Sequence, residues 1–236
     1  MIKLIQKKIN RLVNSRNYYK ALFLFKKIFG EKDLGNLNFD FESRKNRMSI
    51  VQEIIDKKNY SSYLEIGTFK DELFSEIKCK KKVGVDPTSG GTNRETSDSF
   101  FLKNNDKFDC IFIDGLHYYY QVKKDIINSL NSLNDDGIIL MHDCLPKNVF
   151  AQMTPRCTWD WNGDVWKALV EFRTKPSLDC YTCYADHGIG VILKRKNNNP
   201  LYLDLNDFSK LKFENYFYNH KKLMNIVEFQ DLIKII

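Results

Sequence analysis

Phe108-Asp-Cys-Ile-Phe-Ile-Asp114 runs straight into Gly115-Leu-His117, and further along Gly137-Ile-Ile-Leu-Met141 runs into His142-Asp143. Each is an apolar run that stops at a carboxylate and an imidazole. A parallel strand covered by helices on both faces reads as such a run. Its carboxyl end is where polar groups leave the core, and in open α/β sheets that edge is where ligands bind. Two such strands side by side would bring Asp114, His117, His142 and Asp143 to one pocket.

Outward from these runs the pattern repeats. Tyr63-Leu-Glu-Ile-Gly67 predicts a strand, followed by a helix carrying Leu73, Phe74 and Ile77. Lys82-Val-Gly-Val-Asp86 predicts the next strand, stopped by Pro87, and residues 87–93 are turn-forming throughout. A weak strand is expected near 94–97 and a helical turn at 98–104. After the 108–114 strand, Val122, Ile126, Ile127, Leu130 and Leu133 fall at helical spacing, and Gly137 opens the strand that ends at His142. Upstream, Ser49-x-x-Gln52 has the capping-box pattern, and Ile50, Val51, Ile54 and Ile55 share one face of a helix over 49–58. Strands alternating with helices imply a doubly wound, mostly parallel α/β sheet.

Residues 144–163 read as a long loop, functional or mobile. Asp164 is placed to cap a helix with Val165, Trp166, Leu169 and Val170 inward. Cys180–Asp186 and Ile189–Arg195, joined by a tight His-Gly turn, read as an antiparallel hairpin. Residues 207–236 end in a helix bearing Leu223, Ile226, Val227, Phe229, Leu232 and Ile233. The division expected is a helical N-terminal extension (1–40), an α/β domain (41–196) and a helical C-terminal extension (197–236).

The 236 residues are 43% hydrophobic and 28% charged, which suits one soluble domain with extensions. The net charge of +7 points either to an acidic partner or to lysines scattered over solvated faces. A nucleic acid is the less favoured partner, because no dedicated RNA-binding module is visible. Cys180-x-x-Cys183 has no second pair to complete a zinc site, so reduced structural thiols in a reducing, cytoplasmic compartment are expected. No apolar stretch is long enough for a transmembrane helix, and the N-terminus is too charged for a secretory signal. The amphipathic run from Leu4 to Phe25 suits either weak membrane-surface association or packing onto the domain or a second subunit. Amphipathic ends at both termini suggest a homodimer.

The first strand ends Glu65-Ile-Gly67, where glycine allows close backbone approach or a sharp turn. Lys70 and Asp71 stand where a full dinucleotide fingerprint would have more glycine. Asp86, at the end of the second strand, is placed either to accept ribose hydroxyls or to cap the turn at Pro87. His117 is a candidate general base, since imidazole titrates near neutrality, or a cap for the next helix. Asp114, His142 and Asp143 offer two carboxylates and an imidazole to a hard divalent ion such as Mg²⁺, unless Asp143 serves only to orient His142. Asp186 and His187 either approach the pocket or merely make the hairpin turn. Trp159, Trp161 and Trp166 are candidates to stack on an acceptor, with Trp166 also a candidate for the helix core.

Glu65-x-Gly67, Asp86, Thr96-Ser-Asp98, Ile113-Asp-Gly-Leu-His117 and His142-Asp143 together resemble the class I S-adenosylmethionine-dependent methyltransferases. Within them the chain looks most like a bacterial subgroup related to sugar and natural-product O-methyltransferases, some of them metal-dependent. Asn46-Arg47, Trp161-Asn-Gly-Asp-Val-Trp166 and Asp186-His-Gly-Ile-Gly190 extend the likeness over about 40–196. The resemblance implies a seven-stranded Rossmann-like sheet with a last antiparallel strand. It implies that Glu65 and Gly67 face the methionine part of S-adenosylmethionine, that Thr68 also belongs to the cofactor site, that Asp86 holds the ribose, and that Ser97 and Asp98 lie near the adenine. Asp114 would stand between cofactor and acceptor. The expected acceptor is a small-molecule or saccharide hydroxyl. The alternatives are an RNA methyltransferase and a non-catalytic cofactor-binding or assembly subunit.

Overall fold

The four apolar runs become four adjacent parallel strands. In the computed structural model, which describes residues 27, 28, 30–156 and 158–236, they are β1 (Ser62–Ile66), β2 (Lys81–Val85), β3 (Phe108–Ile113) and β4 (Leu133–Met141). The hairpin follows as β5 (Asp179–Cys183) and β6 (Ile189–Leu193), and β7 (Ile226–Val227) forms the far edge. The sheet order is β2-β1-β3-β4-β6-β5-β7. Only β6 runs against its neighbours, pairing antiparallel with β4 and β5. The doubly wound, mostly parallel seven-stranded sheet is therefore the observed fold. Among the described residues no helix is long and apolar enough to cross a membrane.

Alternation along each strand sorts its side chains between two layers. Ile111 and Ile113 of β3 pack with Val122 and Ile126 of α3 (Tyr119–Asn131) and Leu169 of α5 (Val165–Phe172). Cys110 and Phe112 face the other side, with Ile50, Val51 and Ile54 of α1 (Arg47–Lys58) and Leu232 of α7 (Phe229–Ile235). Each large apolar side chain buried in this way contributes roughly 1.5–3 kcal/mol. The same alternation settles the C-x-x-C: Cys180 lies in one layer and Cys183 in the other, so the two thiols share no site. Both are free. The remaining helices are α2 (Ser97–Lys103), the short α4 (Val149–Gln152) and α6 (Phe213–Met224).

Several local expectations are corrected. The helix after β1 is replaced by a chain of turns over 69–76, because Phe69 and Asp71 sit in the left-handed region (φ 48° and 63°), which no α-helix continues through. Leu73 and Ile77 are nevertheless buried as a helix would have buried them. No strand forms at 94–97; Asn93 makes a single parallel bridge to Val85 instead. Helix α1 starts at Arg47, not Ser49, because the Asn46 side chain accepts from the Ser49 N–H at 3.0 Å. Strand β4 reaches back to Leu133 through a register shift opposite Phe108 and Cys110, so Leu133 is not part of α3.

Asp164 makes no side-chain cap to α5. Its Oδ1 accepts instead from the Tyr119 N–H at 2.6 Å and so caps α3. The C-terminal helix is broken at Asn225 (φ 48°), which frees Ile226 and Val227 to pair with Thr182 and Cys183. The loop 144–163 contains α4 and buries Leu145, Val149 and Met153. The amphipathic run from Leu4 to Phe25 lies outside the described residues; Leu37, Phe39 and Phe41 pack against the α3/α5 layer.

Candidate active site

The carboxyl ends of β1, β2 and β3 open into one cavity of about 690 Å³. Of the residues singled out in the sequence, Glu65, Gly67, Thr68, Asp86, Ser97, Asp98, Asp114, His117 and Trp161 line it. His142 and Asp143 do not; they are buried behind Asp114. Gly67 makes the junction possible. Its φ is +90°, and a Cβ there would lie 2.2 Å from the Asp114 carbonyl oxygen.

At the β1–β2 end the polar groups are held by backbone. Asp86 Oδ2 accepts from the Phe69 N–H (2.9 Å), and Oδ1 accepts from the Thr88 N–H, the Thr88 hydroxyl and the Ser89 N–H (2.7, 2.7 and 3.0 Å). Burial works against its charge, but these bonds prevail and hold the carboxyl below its ordinary range. Asp86 thus caps the turn after Pro87 while facing the cavity. Gly90 and Gly91, both left-handed, bring this turn against 69–71: Gly91 N–H donates to Asp71 Oδ1 at 2.6 Å, and a Cβ on Gly90 would lie 2.3 Å from the Phe69 carbonyl. Glu65 is buried, accepts from the Tyr63 hydroxyl at 2.6 Å, and is pushed up to about 8, mainly by burial.

Asp98, in the first turn of α2, is tied to α3 by Lys124 and by Gln121, and both lower its pKa. Asp125 lines the cavity beside it and was not anticipated. Burial pushes its carboxyl up to about 6. Its signal in the sequence is a carboxylate between Val122 and Ile126, on the inward face of an amphipathic helix.

At the other end the polar groups face one another. His117 Nε2 lies 3.2 Å from Asp114 Oδ1, and its Nδ1 lies 3.3 Å from both Asp143 Oδ2 and the Trp161 carbonyl. The Trp161 ring stacks on His117 (centroids 5.2 Å apart, 22° between planes). Gly163 backs the histidine so closely that a Cβ would sit 2.0 Å from the His117 carbonyl oxygen. Asn162 donates to Asp143 Oδ1 at 2.8 Å, so the 144–163 loop supplies three supports for the cluster. Trp159 is exposed and Trp166 is core.

His142 Nε2 is held by Asp186 Oδ1 at 3.1 Å. Its Nδ1 lies 3.4 Å from Asp114 Oδ1 and 3.3 Å from Asp143 Oδ2, is aligned with neither, and is buried without a hydrogen bond. Asp186, His187 and Gly188 are all left-handed, and this turn carries Asp186 into the cluster. His187 instead lies 3.8 Å from Asp160. Burial opposes charge on both histidines. Asp143 and Asp114 outweigh it at His142, raising it well above the ordinary imidazole range, and the Asp114 bond does so at His117. Burial likewise opposes charge on Asp114, but His142 and His117 hold it far below the carboxylate range.

Such a cluster suits a divalent ion. Donor atoms of Asp114, His117 and Asp143 lie within 4.8 Å of one another. The orphaned Nδ1 of His142 faces the same two carboxylates, with its other nitrogen fixed by Asp186, which is how ligating histidines are oriented. His117 is the imidazole on the cavity wall.

No protein of curated function matches the sequence. Among solved structures the chain is similar to an O-methyltransferase from Bacillus cereus in complex with SAH (11% identity, 82% of this chain and 100% of that one, TM-score 0.45). It is similar to the SAH-bound Podospora anserina methyltransferase PaMTH1 (14%, 78% and 97%, TM-score 0.47). It is similar also to the O-methyltransferase TomG of Streptomyces achromogenes in complex with SAM (11%, 77% and 91%, TM-score 0.47). The family model described as a methyltransferase domain matches residues 51–144, a span that contains Glu65, Gly67, Asp86, Asp114, His117, His142 and Asp143. Residues 51–144, which carry most of the strand ends of this site, are thus similar to a methyltransferase domain.

Proposed function

We propose that this domain moves the methyl group of S-adenosylmethionine onto a hydroxyl of a sugar, a polysaccharide precursor or another small natural product. One juxtaposition carries the reading. A cavity whose β1–β2 end is lined by Glu65, Gly67, Thr68 and Asp86 meets, at Asp114, an imidazole–carboxylate cluster. The first end suits the methionine and ribose of the cofactor, with Ser97 and Asp98 toward the adenine. The second suits an alcohol, which is a poor nucleophile until its proton is removed.

S-adenosylmethionine, when bound, would supply a sulfonium methyl whose C–S bond breaks as the C–O bond to the acceptor forms, leaving S-adenosylhomocysteine. His117 would take the hydroxyl proton, and Asp114 Oδ1, 3.2 Å from its Nε2, would stabilise the resulting imidazolium. Trp161 and Gly163 fix the ring. Because Asp114 and Asp143 raise the His117 pKa, the neutral base grows in as pH rises, and turnover should rise with it. Asp114, Asp143 and His142 are the residues that would hold a divalent ion such as Mg²⁺, which when bound polarises an acceptor oxygen and eases its deprotonation.

The test is a panel of nucleotide-linked sugars, polysaccharide fragments and small polyols incubated with S-adenosylmethionine, reading S-adenosylhomocysteine formed. Failure to bind S-adenosylmethionine, or binding with no transfer to any hydroxyl, sinks the reading. Mn²⁺ titrated into wild type and Asp143→Ala, followed by its paramagnetic resonance, tests the ion separately. Equal binding by both proteins would remove Asp143 from the ligand set. The same proposal takes the protein as a cytoplasmic homodimer, which sedimentation of the full chain would test.

A further inference from the structure

Arg47 is the first residue of α1 and lies on the cavity wall with Glu65, Glu72 and Leu73. Its backbone N–H donates to Asp186 Oδ2 at 2.5 Å. Its guanidinium does much less: Nη1 lies 3.6 Å from Asp186 Oδ1 and Nη2 4.0 Å from Glu72 Oε2. Nε is buried and has no hydrogen-bond partner. Guanidinium carries a planar fork of N–H donors that matches a carboxylate with two parallel bonds. Among the described residues Arg47 uses none of these donors in a hydrogen bond. Buried donors without partners are costly, and a ligand acceptor is one ordinary way they are satisfied.

Asp186 does not need the guanidinium. One of its oxygens takes the Arg47 N–H and the other faces His142 Nε2, so the fork is left facing the cavity beside Glu65. A cation and a carboxyl side by side on one wall complement a zwitterion: the cation takes a carboxylate, and the carboxyl takes an ammonium.

We propose that Arg47 anchors the carboxylate of the cofactor's methionine tail, with Glu65 beside it meeting the ammonium group. This rests on the S-adenosylmethionine reading above. The experiment measures binding, without acceptor, of S-adenosylmethionine and of decarboxylated S-adenosylmethionine, which differ only in that carboxylate. Wild type, Arg47→Gln and Arg47→Lys are compared by equilibrium dialysis.

The expected result is a preference of wild type for the intact cofactor of about ten- to a hundredfold, collapsing to near unity in Arg47→Gln. Arg47→Lys should restore part of it, because a point charge replaces the fork. Affinity for the decarboxylated analogue should be the same in all three proteins. If Arg47→Gln weakens both ligands equally, Arg47 is only structural and the proposal is overturned. If wild type discriminates and Arg47→Gln discriminates equally well, another residue holds the carboxylate. If wild type binds neither, the cofactor reading itself falls and takes this assignment with it.

Discussion

The two ends of the cavity hold carboxylates in opposite ways. Asp86 is surrounded by backbone N–H groups and the Thr88 hydroxyl, so its charge is neutralised by groups that never titrate. Asp114 and Asp143 are faced by two imidazoles whose charge depends on pH and on whatever else enters. The first arrangement is a fixed cradle, formed when the chain folds. The second is a set of groups with alternative partners, which is what a site needs if a proton, or an ion, is to come and go.

If that contrast is right, substitutions at the two ends should separate turnover from binding. His117→Ala should lower turnover by about 10²–10⁴-fold, the range for losing a general base, while S-adenosylmethionine affinity stays within a few-fold. Steady-state rates beside cofactor titrations would show it, and retained turnover would break the assignment. Gly67→Ala strikes the junction of the two ends. A left-handed φ and a Cβ 2.2 Å from the Asp114 carbonyl should cost about 2–4 kcal/mol of stability, measured by urea denaturation.

Asp86→Ala should weaken cofactor binding about tenfold and, because Oδ1 caps a turn, cost about 1 kcal/mol of stability as well. Unchanged binding would leave Asp86 as a cap alone.

The last effect expected is a pH slope, spread over several pH units. Glu65 holds its proton to about 8 in the folded protein against 4.5 for the free side chain. Between those values the unfolded chain has released the proton and the folded one has not, so raising pH favours unfolding. The contribution is complete below pH 4.5 and lost by about 8. Within that window stability should fall by at most about 1.4 kcal/mol per pH unit, and Glu65→Gln should flatten the slope. A wild-type profile with no slope there would place the charged form of Glu65 in the folded protein.

Much of this was legible because buried parallel strands announce themselves. The runs ending at Glu65, Asp86, Asp114 and His142 are apolar by necessity, and their polar ends are conspicuous. Less legible was whatever depends on backbone conformation. Phe69 and Asp71 abolish a helix whose apolar spacing at Leu73 and Ile77 looks intact. Asp164 has the chemistry of a cap but serves α3, forty-odd residues back in the chain, because the loop folds over that helix end. Arg47 was visible only as part of a resemblance; its unused donors are a fact of packing. Asn162 and Gly163 sit in a loop with no periodicity, and only the position of His117 shows what they do.

The contact of Gly90 and Gly91 with residues 69–71 bears on how such chains are found. The close approach that a glycine-rich loop normally makes within itself is here made between two segments about twenty positions apart, with Asp71 taking the left-handed conformation and the glycines supplied from beyond β2. A search that demands its glycines in one short window would pass over this arrangement, although the surface it builds lies at the same strand ends. Substitution at Gly90 should then resemble damage to the turn after β1, because in space the two are one feature.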